Sequence, residues 1–240
     1  PRDEHGHGTH VAGTIAARLN GQGVAGVAPK VKIIPIKVLD KNGDGSVSSI
    51  VKAITWATQN GVQVINMSLG NSEGSKTLHK AIQRAIAKGV VVIAAAGNEG
   101  PESGTVAYPA AYPEVIAVAA SDRKDQVADF SSRGSEVDFI APGIDVLSTM
   151  PGGSYGKFSG TSMSSPHAAG LAAIAVANGA SGQEGVRAAF KRAASPLCPA
   201  AERPSKVRAK ARAPRCPGDK EQGSGMIDAT KLLQKKVARR

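Results

Sequence analysis

Residues 90–96 read VVVIAAA and residues 115–120 read VIAVAA, two strand-length runs in which every side chain is apolar. A strand of that kind has no face to give to water. Both faces must be covered, which is the condition of a parallel sheet enclosed by helices. Two more segments are strand-like, VKIIPIKVL at 31–39 and VQVINMSLG at 62–70. Helical patterns fall between them. SSIVKAITWATQNG (48–61) places Ile50, Ala53, Ile54 and Ala57 on one face, and SKTLHKAIQRAIAKG (75–89) does the same with Leu78, Ile82, Ala85 and Ile86. Each opens on serine and closes on glycine, the residue types that cap a helix at its two ends. The alternation predicts an α/β fold: a three-layer sandwich with a mostly parallel central sheet and helices on both faces. Functional residues in such sheets lie beyond the carboxyl ends of the strands. That singles out residues 68–70, residues 97–100 and the loop 40–46.

The chain has 240 residues, enough for one domain over 1–240 with a sizeable core. No apolar run reaches membrane-spanning length. Residues 1–10 are polar, so no signal peptide opens the sequence, and any export signal is expected to lie outside it. The net charge is +11, and it is local. Residues 1–186 carry fifteen Lys or Arg against fifteen Asp or Glu, whereas residues 187–240 carry fifteen against four. Nucleic-acid binding by this tail is not expected, because no aromatic residue interleaves RPSKVRAKARAPR. Cys198 and Cys216 bracket that basic stretch. A disulfide closing the 198–216 loop would contribute roughly 3 kcal/mol and imply an oxidising compartment. Two free thiols are the alternative.

Two motifs mislead. Gly21, Gly23 and Gly26 match a dinucleotide-binding G-x-G-x-x-G, but a helical segment (10–19) precedes them and a strand follows, the reverse of what that motif needs. Asp40, Asn42 and Asp44 match half of a calcium loop, but Val51 stands where the bidentate glutamate belongs. Both stretches are read as turns.

Three other pieces carry chemistry together. HGTHVAG begins at His7, AAAGNEG holds Asn98 at a strand's end, and GTSMSSPHAAG holds Ser162 at the start of an alanine-rich helix over about 162–177. A serine there sits at the positive end of the helix dipole, and its own N–H is free to bind an anion. Its hydroxyl attacks only if a base takes the proton, and a histidine does that. An amide donor opposite, Asn98, can hold the oxyanion that forms. Pro166 is read as lying in the first turn, where its missing N–H is harmless. Helix capping explains Ser162 taken alone; it does not explain all three pieces.

The sequence resembles the subtilisin family of serine endopeptidases. HGTHVAG and GTSMSSPHAAG look like its histidine and serine motifs. YPAAYPEVIAV (108–118), FSSRG (130–134), APG (141–143) and GSGMIDA (223–229) resemble lesser landmarks. The resemblance implies a subtilisin-like sandwich in which Ser162 is the nucleophile and His7 the general base. Asn98 and the Ser162 amide would form the oxyanion hole. Ser68, Leu69 and Gly70 would pair with extended polypeptide substrates. Residues 94–97, including Ala95 and Gly97, with Glu99 and Ala107, would shape the pocket before the scissile bond. His10 and His167 would be structural. Asn20, with the carbonyls of Arg18, Gln22 and Val24, matches half of a structural calcium site; no cofactor is required for the chemistry. A secreted monomer with no membrane partner is expected.

One departure stands out. The family's triad aspartate stands in a D-[ST]-G motif about thirty residues before the histidine, and only residues 1–6 precede His7 here. Asp3 lies on the same loop as His7 and is not expected to orient its ring. Loss of that aspartate alone lowers subtilisin turnover about 3 × 10⁴-fold. The 240-residue chain by itself is therefore expected to be poorly folded or nearly inactive. A non-catalytic peptide-binding remnant of the same fold is the rival reading.

Overall fold

The computed structural model describes residues 2–197 and 223–233. The central sheet is built from β1 (Val64–Met67), β2 (Val91–Ala95), β3 (Ile116–Ser121), β4 (Phe139–Pro142), β7 (Ala194–Ser195) and β8 (Met226–Ile227). Their order is β1-β2-β3-β4-β8-β7. The first four strands and the β4–β8 pair are parallel, and β7 runs antiparallel to β8. A separate antiparallel hairpin joins β5 (Val146–Thr149) to β6 (Tyr155–Phe158).

Alternate strand residues go to opposite faces. Val91, Ile93, Ile116, Val118 and Phe139 pack on one side with α4 (Thr161–Ala177) and α5 (Gly182–Ala193). Val92, Ala94 and Ala117 pack on the other with α2 (Val47–Gln59) and α3 (Lys76–Ala87). Three layers result, as the continuous apolar runs require. The end signals also hold: Ser46 Oγ accepts from the Ser49 amide at 3.1 Å at the start of α2, and Ser75 Oγ accepts from Leu78 at 3.3 Å at the start of α3. The C-terminal GSGMIDA supplies β8 and leads into α6 (Ala229–Leu233).

Helix α1 (His7–Ala16) starts three residues before the expected 10–19 segment. Asp3 explains the early start. Its carboxylate accepts from the amides of His5, Gly6 and Thr9 and from Thr9 Oγ1, so it holds the first turn from outside. Farther along, His10 is fully buried, stacks on Phe158 at 4.7 Å and donates through Nε2 to the Val146 carbonyl at 2.9 Å. Ser148 Oγ donates to the His10 carbonyl at 2.7 Å. These contacts seat α1 on the β5–β6 hairpin.

Residues 31–39 correct the sequence reading, because no strand forms there. Among the described residues β1 is an edge strand paired only with β2. Between its outer edge and residues 31–39 lies part of a cavity of about 1400 Å³, lined there by Ile33, Ile36 and Val38 on one side and by Val62, Val64 and Asn66 on the other, and reaching on to His7 and residues 68–71. A β-rich sequence becomes a strand only against a partner, and none reaches this one. The two misleading motifs are loops. Asp40 folds its own turn by accepting from the amides of Asn42 and Asp44. Cys198, Cys216 and the 198–216 loop lie outside the described residues.

Candidate active site

The site is built on the start of α4. Gly160 precedes the helix at φ 150°, a conformation favouring glycine, and Thr161 and Ser162 are its first two residues. Pro166 is therefore the sixth helical residue, not part of the first turn, and this corrects the expectation. A proline at that depth has no N–H for the carbonyl four residues back. That carbonyl belongs to Ser162. Ser68, just past β1, supplies the missing donor: its Oγ donates to the Ser162 carbonyl at 2.8 Å. Ser68 Oγ also meets Ser165 Oγ at 2.8 Å and accepts from Asn66 Nδ2 at 3.0 Å. The end of β1 is thus tied to the first turns of α4. Ser162 Oγ donates to the Ser68 carbonyl at 3.4 Å.

Asn98 stands two residues past β2's neighbour Ala96, on the opposite side of the Ser162 turn. Its Oδ1 accepts from the Thr161 amide at 2.9 Å and from Thr161 Oγ1 at 3.1 Å. Thr161 Oγ1 in turn accepts from the Gly97 amide at 3.1 Å. Only the carbonyl end of an amide can accept from a backbone N–H, so this network fixes which end is which. The Nδ2 protons are left directed away from Thr161, and no acceptor takes them among the described residues. Near them is the Ser162 N–H, an unpaired amide of the helix start. A Cβ on Gly97, where φ is 110°, would come within 2.7 Å of Ser132 Oγ, so glycine lets the chain turn into Asn98.

His7 is the first residue of α1, half-buried, and it lines the same void as Ser68. Burial holds its imidazole below the ordinary value of 6.5; His5 and His10 push the same way and Asp3 opposes them. The neutral form, the form able to accept a proton, is favoured. Among the described residues no hydrogen bond joins the His7 ring to Ser162 or to any carboxylate. Asp3 is engaged with the α1 amides, and those hydrogen bonds overcome the cost of its burial to lower its pKa from 3.8 to about 2.

The remaining residues wall a pocket between the two strand ends. Gly70 is exposed, and a Cβ there would stand 3.1 Å from Ala107 Cβ; one on Gly97 would stand at the same distance. Ala107 is buried, donates to the Ala96 carbonyl at 2.8 Å and so forms the wall between Gly70 and Gly97. Ala95 is buried in β2 beneath them. Glu99 is exposed at the rim, its amide held by Ser132 Oγ at 3.1 Å. Leu69 is half-buried beside α2 and α3. His167 lies on α4, its Nδ1 on the Met163 carbonyl at 2.8 Å, and has no part in the cluster. Sequence reasoning missed Thr161 as the residue that orients Asn98 and Ser68 as the one that holds α4.

Arg18, Asn20 and Gln22 are exposed on the loop after α1, and Val24 follows half-buried; Asn20 Oδ1 accepts from the Gln22 amide at 3.1 Å. Calcium takes about six to eight oxygens, carboxylates among them. These residues supply no carboxylate, and no group of three His, Cys, Asp or Glu able to hold a metal occurs among the described residues. By themselves they do not fit a calcium ion.

Comparison with known proteins bears on this geometry. The sequence profile of the Subtilase family, peptidase family S8, matches residues 1–228. Subtilisin E of Bacillus subtilis (strain 168) is 53% identical over 175 residues, 72% of this chain and 46% of that protein. Subtilisin DY of Bacillus licheniformis is 54% identical over 174 residues, covering 72% of this chain and 64% of its own length. The solved structure of Sphericase superposes with a TM-score of 0.76 at 39% identity, covering 80% of this chain and 70% of that one. The chain spans about half the length of relatives such as subtilisin E.

Proposed function

This chain belongs to the subtilase family, and on that premise we propose that it carries the machinery of a serine endopeptidase, with Ser162 as nucleophile and His7 as general base. Extended polypeptide lies along residues 68–70, with the side chain before the scissile bond between Gly70, Gly97 and Ala107. His7 accepts the proton of Ser162 Oγ as the oxygen attacks the carbonyl carbon. The resulting oxyanion sits against Asn98 Nδ2 and the Ser162 amide. The tetrahedral intermediate collapses, His7 gives its proton to the leaving amine, and an acyl-enzyme remains on Ser162. Water, activated by the same ring, releases it. Glu99 at the rim favours a basic substrate side chain. Action outside the cytoplasm, as a monomer, completes the reading. No helix among the described residues is long and apolar enough to cross a membrane.

The observation that carries the proposal is the Thr161–Asn98 lock, which leaves a free amide donor beside a free helix-start N–H and a serine hydroxyl. A peptide-binding remnant has no use for it. One observation favours that rival: no hydrogen bond orients the His7 ring among the described residues. A fluorophosphonate probe separates the two. In a chain extended upstream to carry a D-[ST]-G motif about thirty residues before His7, Ser162 should take up one probe, found by peptide mass, and His7→Ala should abolish the labelling. A well-folded, extended chain that leaves Ser162 unmodified is the remnant, not the enzyme.

A further inference from the structure

The two segments that wall the pocket stay joined beyond it. Residues 68–71 lead into α3 through its cap Ser75, and residues 107–114 run from the Ala107 wall toward β3. Three ties link them, and along the first segment they fall four residues apart. Beside the pocket, the Asn71 amide donates to the Tyr108 carbonyl at 2.9 Å and the Tyr108 amide to the Asn71 carbonyl at 2.8 Å. Next, the hydroxyl of buried Tyr112 accepts from the Ser75 amide at 2.7 Å and donates to the Ser75 carbonyl at 2.9 Å. Last, His79 Nε2 donates to Glu114 Oε2 at 2.9 Å, and its ring stacks flat on Tyr112 with centroids 4.1 Å apart. Tyr112 in turn lies 4.8 Å from Tyr108, so ring contacts run back to the pocket.

Glu114 is the fixed end of this clasp. Its backbone carbonyl accepts from Gln183 Nε2 at 2.6 Å and from Arg187 Nη2 at 3.0 Å, both on α5. Its carboxylate also accepts from Gln83 Nε2 at 2.7 Å. Burial pushes that carboxyl up, but the hydrogen bonds from Gln83 and His79 outweigh it and hold the group below its ordinary value. An ionised carboxylate only accepts, so His79 Nε2 carries the proton between them.

We propose that His79 is a positioning residue for the pocket: through Tyr112 and Ser75 it sets the separation of residues 68–71 from residues 107–108, and with it the size of side chain admitted before the scissile bond. The proposal rests on the pocket assignment made above. Stability is not the use of this tie, because its partners are 30% and 32% exposed and such pairs contribute little. Its use is geometric. At Gly70 the walls already stand close, since a Cβ there would lie 3.1 Å from Ala107 Cβ. A small displacement of either wall therefore changes what fits, and one methylene in an apolar pocket shifts preference about 10–200-fold. With the clasp closed the walls select against the widest side chains; with it open they admit them.

The test uses the upstream-extended chain carrying Ser162→Ala, so that binding is read without turnover. Three fluorescent peptides differ only in having Ala, Leu or Phe before the scissile position, and anisotropy gives their dissociation constants. His79→Ala should raise the Phe-to-Ala affinity ratio about fivefold or more. Glu114→Ala, which removes the other half of the tie, should raise it in the same direction. His79→Gln, whose amide nitrogen reaches the place of Nε2, should restore most of the original ratio. An unchanged ratio in the folded alanine variants overturns the proposal. So does an equal weakening of all three peptides, which marks residues that only stabilise, and so does a shift as large in His79→Gln as in His79→Ala. Fluorophosphonate labelling of Ser162 in the extended chain is scored separately. Labelling with an unchanged ratio removes the clasp alone, whereas no binding of any peptide removes the pocket assignment and the clasp with it.

Discussion

Pro166 deprives the Ser162 carbonyl of its helical donor, and Ser68 replaces that donor from 94 residues away in sequence. A carbonyl left without a partner costs about 1–3 kcal/mol. Ser68→Ala should therefore lower the urea midpoint by an equivalent amount and slow the labelling of Ser162, whereas an unchanged midpoint would mean that water replaces Ser68 freely. Asn98 calls for a different measurement. If its Nδ2 holds an oxyanion, Asn98→Ala lowers turnover of a peptide ester by about 10²–10³ with KM nearly constant. If it only ties Thr161 in place, the loss appears in stability and KM instead. His7, Asn98 and Ser162 could be proposed from the sequence because each stands in a motif that resembles one of the family's. Ser68 and Thr161 were not legible in their supporting roles. Those roles depend on contacts between distant segments, and nothing near either residue announces them.

Among the elements, β2 and β3 could be read in advance because a run without polar residues admits few other placements. Residues 31–39 could not. Their composition is equally β-like, but a strand needs a neighbour, and only the fold shows that the neighbouring position is open. Helix α1 owes its early start to Asp3, whose removal can be predicted quantitatively. Asp3→Asn should cost about 1 kcal/mol, the usual worth of such a cap, a figure that allows for solvent around a mostly exposed carboxylate. Because the folded pKa is depressed, this contribution is full above pH 3.8 and disappears as pH falls toward 2. The difference between wild type and variant should shrink over that window in chemical denaturation. Helix α5 is fixed by Arg187, which is buried, pairs with Asp138 and donates to the carbonyls of Glu114 and Val115 at 3.0 and 3.2 Å. Burial pushes Asp138 up and Arg187 opposes it. Arg187→Leu leaves a buried carboxylate uncompensated and should cost about 3–5 kcal/mol. Adding Asp138→Asn should return part of that loss; no recovery would mean that the carbonyl contacts, not the ion pair, carry the effect.

At the scale of the molecule, α1 and α4 pack together and each carries a histidine whose charged form the fold disfavours. Burial lowers His7, with His5 and His10 adding to it, and burial lowers His167 against the opposing bond to the Met163 carbonyl. Both folded pKa values lie below 6.5. As pH falls through 6.5, the unfolded chain therefore takes up protons that the folded chain does not, and stability declines with them. The two groups contribute fully above 6.5 and lose their contribution progressively below it, so the α1–α4 pairing weakens together with the base that depends on it. The urea midpoint should be lower at pH 5 than at pH 7.5. His167→Gln, which keeps a donor for the Met163 carbonyl but cannot take a proton, should narrow that difference without altering the alkaline midpoint. A variant whose midpoint falls as far as wild type on acidification would place the sensitivity elsewhere. A narrowed difference, with labelling of Ser162 still lost on further acidification, where the folded His7 with its pKa held below 6.5 takes up a proton, would assign the stability to His167 and the activity to His7.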